Sequence, residues 1–165
     1  MKTKMLWSFG AVVAIVGSVG ADIKSDWQKI LDSYCTAAKK KDLKTADKIV
    51  RANFSKDFKF VSSKGVTQNL EEWIKGGHDE MNMTSKVNTF SLHIDSLKPG
   101  KATSEMMMTI TFAGMVQLDP KGKPGEMKYV GKSATTLTKS GSKWLISKIV
   151  EKSGNTTFNG KPLKM

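Results

Sequence analysis

Between Ile23 and Lys41 apolar residues return at three- and four-residue spacing: Ile23, Trp27, Ile30, Leu31, Tyr34 and Ala38. That spacing puts them on one stripe of an α-helix, so the segment is predicted as a helix with a single buried face. Asp42 is a natural N-cap for a second helix, with Leu43, Ala46, Ile49 and Val50 on its inner side and Phe54 closing it. The period then drops to two. Asp57-Phe58-Lys59-Phe60-Val61 alternates as a strand and is turned by Ser62-Ser63-Lys64-Gly65. Asn69, with Glu72 three positions on, forms a capping box for a third helix that buries Leu70, Trp73 and Ile74. Gly76-Gly77 is predicted to weaken or end that helix.

Everything after Lys86 reads as strand. Lys86–Leu97 and Lys101–Leu118 flank the tight turn Lys98-Pro99-Gly100, and Met127–Lys139 and Lys143–Lys152 flank Ser140-Gly141. Phe90, Leu92 and Ile94 share one face of their strand, as do Met106, Met108, Ile110 and Phe112 of theirs, with Met107 opposite. Asn159-Gly160 marks a further tight turn in the tail. Helices first and long hairpins afterwards predict an α+β domain, with N-terminal helices packed on an antiparallel sheet of four long strands. Trp27 and Tyr34 of the first helix should face that sheet.

The residues before the first helix change where this domain is expected to work. Lys2 and Lys4 precede an uncharged stretch, Met5 to Ala21, that ends in small residues. A basic head, an apolar stretch and a small-residue exit predict a secretory signal peptide cut after Ala21, with Val19 and Ala21 as the small pair. A membrane-anchoring helix is the alternative; at 17 residues, several of them Gly or Ser, the stretch is at the lower limit for a span. No Cys follows it, which closes the lipoprotein route. The division is therefore a signal peptide over 1–21, one domain over 22–153 and a tail over 154–165, in a protein exported to the periplasm or beyond.

Charge and cysteine narrow the classes further. The net charge is +12, or +10 without Lys2 and Lys4, and 26 of the 27 basic residues are Lys, with Arg51 the exception. Nucleic-acid readers lean on the planar fork of Arg, so no nucleic acid is expected as a partner. The charge reads as a solvated lysine surface with at most loose attraction to anionic envelope surfaces. Cys35 is the one cysteine and falls within the first helix, where a buried inert thiol is expected; it permits neither an internal disulfide nor a Cys-based zinc site.

The order of elements is also familiar. Tyr34, Asp42-Leu43, Phe54 with Asp57-Phe58-Lys59-Phe60-Val61, Gly65, Leu70-Glu71-Glu72-Trp73 and the closing Gly141-Ser142-Lys143-Trp144-Leu145-Ile146 make the chain resemble the nuclear-transport-factor-2-like superfamily, over roughly Asp22 to Ser153. That superfamily includes SnoaL-like polyketide cyclases and ketosteroid isomerases. The resemblance implies a cone-shaped α+β barrel, a strongly curved sheet covered by helices with a pocket between them. In ketosteroid isomerases a carboxylate base moves the proton, and a Tyr and a protonated Asp hold the enolate. Carried over, Tyr34, eight residues before Asp42, stands at the oxyanion Tyr, the base position falls on Ser62 and the second acid near Ala134. No Asp or Glu lies within two residues of either position, and neither a hydroxyl nor a methyl group can take a proton as a carboxylate does.

Other chemistry is sparse. His78-Asp79-Glu80 invites a metal, but adjacent helical residues point in different directions, so no metal and no cofactor are expected. His93 and Asp95 share a strand face opposite Phe90, Leu92 and Ile94; they read as a solvated pair, or as an oriented acid–base pair. No catalytic residue is assigned. The candidate pocket is Tyr34, Phe60, Trp73, His78, Met108, Ile110 and Phe112, with Met81 and Phe90 beside them, a set equally suited to a plain core. Three functions follow in order: an exported, non-catalytic small-ligand-binding or accessory protein whose ligand is mainly apolar; a SnoaL- or isomerase-like enzyme acting on a small carbonyl compound; and a dimeric interaction protein, a homodimer through the sheet with a filled pocket.

Overall fold

The computed structural model describes residues 22–163. The predicted signal peptide and its cleavage site before Asp22 lie outside the described residues. The elements are α1 (Asp22–Lys39), α2 (Leu43–Asn53), β1 (Phe54–Val61), β2 (Thr67–Gln68), α3 (Leu70–Met83), β3 (Thr84–Lys98), β4 (Thr103–Val116), β5 (Gly125–Ser140), β6 (Lys143–Phe158) and β7 (Lys161–Pro162). Three helices pack on one face of a curved, open, seven-stranded sheet of order β2-β1-β6-β5-β4-β3, with β7 also paired to β6. The α+β class and the antiparallel run of four long strands are as the sequence predicts. The sheet as a whole is mixed, because β1 enters it parallel to β6.

Local chemistry sets the helix ends. The Asp42 carboxylate accepts from the Thr45 amide at 3.0 Å and caps α2. Asn69 and Glu72 close a reciprocal capping box on α3, each side chain accepting the other's backbone N–H. Gly76-Gly77 do not end α3, contrary to one of the two outcomes expected of them: the helix runs through both to Met83. A mid-helix Gly costs about 1 kcal/mol against Ala. Here one end is fixed by the box, and the other feeds without a loop into β3, whose Thr84 hydroxyl donates back to the Glu80 carbonyl at 2.8 Å.

α1 lies against β3, an edge strand of the sheet. The Gln28 amide donates to the Leu92 carbonyl at 2.8 Å and accepts the Ile94 N–H at 2.9 Å, so the side chain acts as a short strand along that edge. Trp27 and Leu31 then enter the core with Phe58, Ile94, Met106, Met108, Leu137, Ile146 and Ile149. Phe54, Phe60, Leu70 and Trp73 pack around it, with Trp73 stacked on Phe54 at 5.4 Å. Tyr34 faces the sheet as predicted, its ring edge-on to Phe90 at 6.0 Å. Among the described residues no helix is long and apolar enough to cross a membrane.

Candidate functional site

The strand register orders the helix-covered face into rows. Ile94, Met108, Ser133 and Glu151 stand in one row, Leu92, Ile110, Gly131 and Gly154 in the next, and Phe90, Phe112, Tyr129 and Thr156 in a third. The core fills the side beyond the first row. Polar groups gather where the rows meet β1's turn and the ends of α1 and α3.

Tyr129 is held flat on the sheet by two glycines. Gly131 and Gly154 are direct cross-strand partners, and a β-carbon on either would run into the Tyr129 ring, from Cε1 on one side and from Cε2 on the other. The phenol donates to Glu151 Oε1 at 2.8 Å. The other carboxylate oxygen accepts from the Ser63 amide and from the Ser63 hydroxyl, both at 2.9 Å, which ties the β1–β2 turn to β6. Burial raises the Glu151 pKa, but these three donors outweigh it and hold the carboxyl below the usual carboxylate range. The Tyr129 phenol is pushed well up, by burial first, then by its bond to Glu151 and by the charges of Glu151 and Glu80. Beside it opens a cleft of about 270 Å³ lined by Ser62, Ser63, Lys64, Tyr129, Glu151, Gly154, Thr156 and Leu163. Thr156 is 7% exposed, and its buried hydroxyl has no hydrogen-bond partner among the described residues.

A second polar group lies outside the lining of the cleft but acts on Tyr129 through its charge. Glu80, near the end of α3, is exposed as a residue, while the protein around its carboxyl desolvates it and raises its pKa. Tyr34 is pushed upward by burial foremost, then by Cys35, Glu80 and Asp47. Glu80 therefore acts electrostatically on both tyrosines, and both phenols stay protonated at neutral pH. His78 Nε2 meets Asp47 Oδ1 at 2.8 Å, joining α3 to α2. A wider depression of about 360 Å³ between α1 and α2 has a different character: its Asp42 carboxylate is engaged with the Thr45 amide and hydroxyl as a helix cap.

The residues singled out from sequence divide. Tyr34, Phe90 and Phe112 form a chain of edge-to-face rings at the polar end. Ile110 is half-buried in the glycine row, whereas Phe60, Trp73 and Met108 belong to the core packing. His78 is in its ion pair, and His93 is exposed on the outer face, where the neighbouring Asp95 carboxylate accepts from Thr109. Ser62 borders the cleft and accepts the Val66 N–H, closing the β1–β2 turn. Ala134 faces outward, paired with Met107 and Val150; its inward neighbours are Ser133 and Thr135, whose buried hydroxyls also lack partners among the described residues. Cys35 is buried, and burial pushes its thiol up to about 11. Among the described residues no group of three or more His, Cys, Asp or Glu could hold a metal. Tyr129, Glu151 and Thr156 are not among the residues the sequence singles out, and Glu80 enters there only as part of His78-Asp79-Glu80. The alternation of Tyr129 with Gly131 on one strand face was the available signal for the first of them.

No model of a protein family matches the sequence, and no curated protein does. Solved structures do match. A nuclear-transport-factor-2-like protein from Salmonella enterica superposes with TM-score 0.56 at 13% identity, covering 79% of this chain and 89% of that one. A putative scytalone dehydratase from Novosphingobium aromaticivorans gives 0.57 at 11% identity over 79% and 83%. An NTF-2-like protein of unknown function from Shewanella oneidensis gives 0.52 at 15% identity over 77% and 96%. At such identities the likeness is one of fold: the chain has the nuclear-transport-factor-2-like fold.

Proposed function

We propose that this is an exported small-ligand-binding protein whose ligand seats in the cleft beside Tyr129, and that it binds without turnover. The observation that carries the reading is the construction of that cleft: an aromatic ring laid on facing glycines, its phenol fixed by Glu151, with Ser62, Ser63 and Lys64 along its wall. Pockets that bind small molecules combine an apolar surface with a few fixed polar groups. These polar groups favour a small polar ligand over the mainly apolar one expected from sequence. Export rests on the N-terminal pattern. The test is native mass spectrometry of the protein purified from its own host, with Tyr129→Ala alongside. A retained polar molecule lost in the variant supports the reading, and bound molecules indifferent to Tyr129→Ala would overturn it.

A second reading, a proton-transferring enzyme of the isomerase or cyclase kind, is favoured by Glu80. A carboxyl whose pKa is raised by desolvation and whose charge acts on two protonated phenols supplies the kinds of group a general base and oxyanion donors need. The argument from sequence against catalysis concerned Ser62 and Ala134, and Glu80 lies at neither position. Turnover of a β,γ-unsaturated ketone above buffer, abolished in Glu80→Gln and reduced in Tyr34→Phe, would replace the carrier by the enzyme.

A further inference from the structure

We propose that the end of the domain where α1, α3 and the β4–β5 loop meet is a docking surface for an anionic phospholipid bilayer, which it enters with Met83 and Leu118. This goes beyond the binding function above and does not depend on what the cleft holds. The surface is assembled around Thr84, where α3 passes directly into β3. The Gln117 N–H donates to the Met83 carbonyl at 2.8 Å, which brings Leu118 to the end of α3. From the other side the Lys41 ammonium donates to the Thr84 carbonyl at 2.7 Å and ties the end of α1 to the same place. The β4–β5 loop is held in shape. The Gln117 side-chain amide donates to the Pro120 and Gly122 carbonyls at 2.9 and 3.1 Å. Asp119 accepts the Lys121 N–H on its carboxylate and the Gly122 N–H on its carbonyl. Three segments far apart in sequence are thereby fixed at one end of the molecule.

Two chemical features coincide there. Met83 and Leu118 are 41% and 42% exposed, two of the four large apolar side chains that stand exposed among the described residues. The others lie apart, Val66 in the β1–β2 turn and Val130 on the outer face of β5. Single exposed apolar residues are ordinary, but these two are brought together by the bond between Gln117 and Met83. Around them stand Lys39, Lys40, Lys41, Lys86, Lys121 and Lys123, all exposed and, among the described residues, none in an ion pair. The acids at this end are Asp42 and Asp119, with Asp79 and Glu80 one turn back on α3, so lysine is in excess. Asp42 is turned to its helix cap, Asp119 to its own loop, and the charge of Glu80 acts on Tyr34 and Tyr129.

Apolar tips within a ring of cations match a surface whose headgroups are negative and whose interior is hydrocarbon. The choice of lysine favours a bilayer over an acidic protein. An ammonium is strongly hydrated and sits on a flexible stem, and lysine is depleted from the dry centres of protein–protein interfaces. A headgroup layer stays wet and fluid, so it meets each ammonium where it stands while the two apolar side chains pass below it. No described helix could cross a bilayer, and this mode of binding needs none.

The experiment measures partition of the mature full-length chain onto sedimented vesicles, of phosphatidylcholine alone and of phosphatidylcholine with about one-third phosphatidylglycerol. The protein should bind the anionic vesicles and leave the neutral ones. Because a basic protein adheres loosely to any anionic surface, the decisive comparison is between two triple variants of equal net charge. Lys40→Gln/Lys121→Gln/Lys123→Gln acts on the proposed surface and should weaken binding about 100-fold, at about fivefold per lysine. Lys98→Gln/Lys101→Gln/Lys143→Gln acts at the hairpin turns beside the other end of β4 and should stay within about fivefold of wild type. Lys41 is left in place because it holds Thr84. Leu118→Ser should weaken binding about tenfold and remove the part that survives at about 0.5 M salt, where charge attraction is screened. Met83→Ser keeps that arm decisive if Leu118→Ser fails to fold. Equal losses in the two triple variants overturn the assignment, as does equal binding to neutral vesicles. So does salt-resistant binding that neither serine variant lowers. If the folded protein ignores anionic vesicles but is retained by polyglutamate, the surface takes an acidic chain and the bilayer assignment falls.

Discussion

Gly131→Ala puts the construction of the cleft under direct test. Gly131 has an extended backbone with no need of a positive φ, so on local grounds Ala should be favoured there by roughly 0.5–1 kcal/mol. Tertiary packing reverses the sign. The new β-carbon would overlap Tyr129 Oη and lie 2.5 Å from Cζ and 2.9 Å from Cε1, so the whole ring must leave. Overpacking of this kind costs about 1–3 kcal/mol. The displaced phenol also loses its bond to Glu151, worth about 1 kcal/mol at this half-buried position, where water can replace part of it. The net expectation is a loss of about 1.5–3 kcal/mol, or a melting temperature lower by roughly 5–10 °C for a domain of this size. Urea unfolding of wild type, Gly131→Ala, Tyr129→Ala and the double variant reads the effect as a cycle. In the Tyr129→Ala background the glycine substitution should become neutral or stabilising. If Gly131→Ala is as stable as wild type, or its penalty is the same with and without the Tyr129 ring, then the ring does not rest on these glycines and the cleft is built some other way.

Four further outcomes are expected. Glu151 has a folded pKa below its ordinary value of 4.5, so it contributes stability present above that pH and lost as pH falls through the folded value; Ser63→Ala should flatten this acid limb in urea titrations across pH 3–7. Glu80 has the opposite sign: its raised folded pKa means its contribution is present below 4.5 and lost as pH rises through the folded value, so Glu80→Gln should remove that decline and raise stability at neutral pH. Asn69→Ala breaks the capping box of α3 and should cost about 1 kcal/mol by chemical denaturation, with m unchanged. N-terminal sequencing of exported protein should find the chain beginning near Asp22.

What the sequence made legible was whatever a single periodicity controls. The α1 stripe, the caps Asp42 and Asn69, and the alternation of Phe90-Leu92-Ile94 each follow from local geometry, and each predicted element is present. Less legible was anything that depends on which strand lies beside which. The parallel entry of β1 next to β6 joins residues nearly ninety positions apart, and no local pattern announces it. The site suffers most, because its parts come from β1's turn, α3, β5 and β6. Ser63, Glu80, Tyr129 and Glu151 carry no motif between them; they meet only through the register.

The bulges in β6 explain why the inward-facing glycine in particular was invisible. Strict alternation from Ile146, which faces the core, would turn Lys148 inward and Ile149 outward. Instead the pairing steps from Leu137↔Ile146 to Thr136↔Lys148, so Ser147 is the extra residue and Ile149 enters the core. The same happens again at Lys152, where the pairing steps from Ser133↔Glu151 to Lys132↔Ser153. Counting by twos from Glu151 would put Ser153 inward and Gly154 outward; the bulge exchanges them. Gly154 thereby comes to lie opposite Gly131, and only then is there room for Tyr129 to lie across both and reach Glu151. A one-residue change of register exchanges every later side chain between faces, and an extra residue in one strand has that effect locally without altering composition or period. Local alternation predicts a strand ending at Lys152, the residue whose bulge assembles the cleft. The two bulges also serve opposite ends of one strand: the first carries Ile149 into the dry core, and the second delivers a glycine where bulk would exclude an aromatic ring.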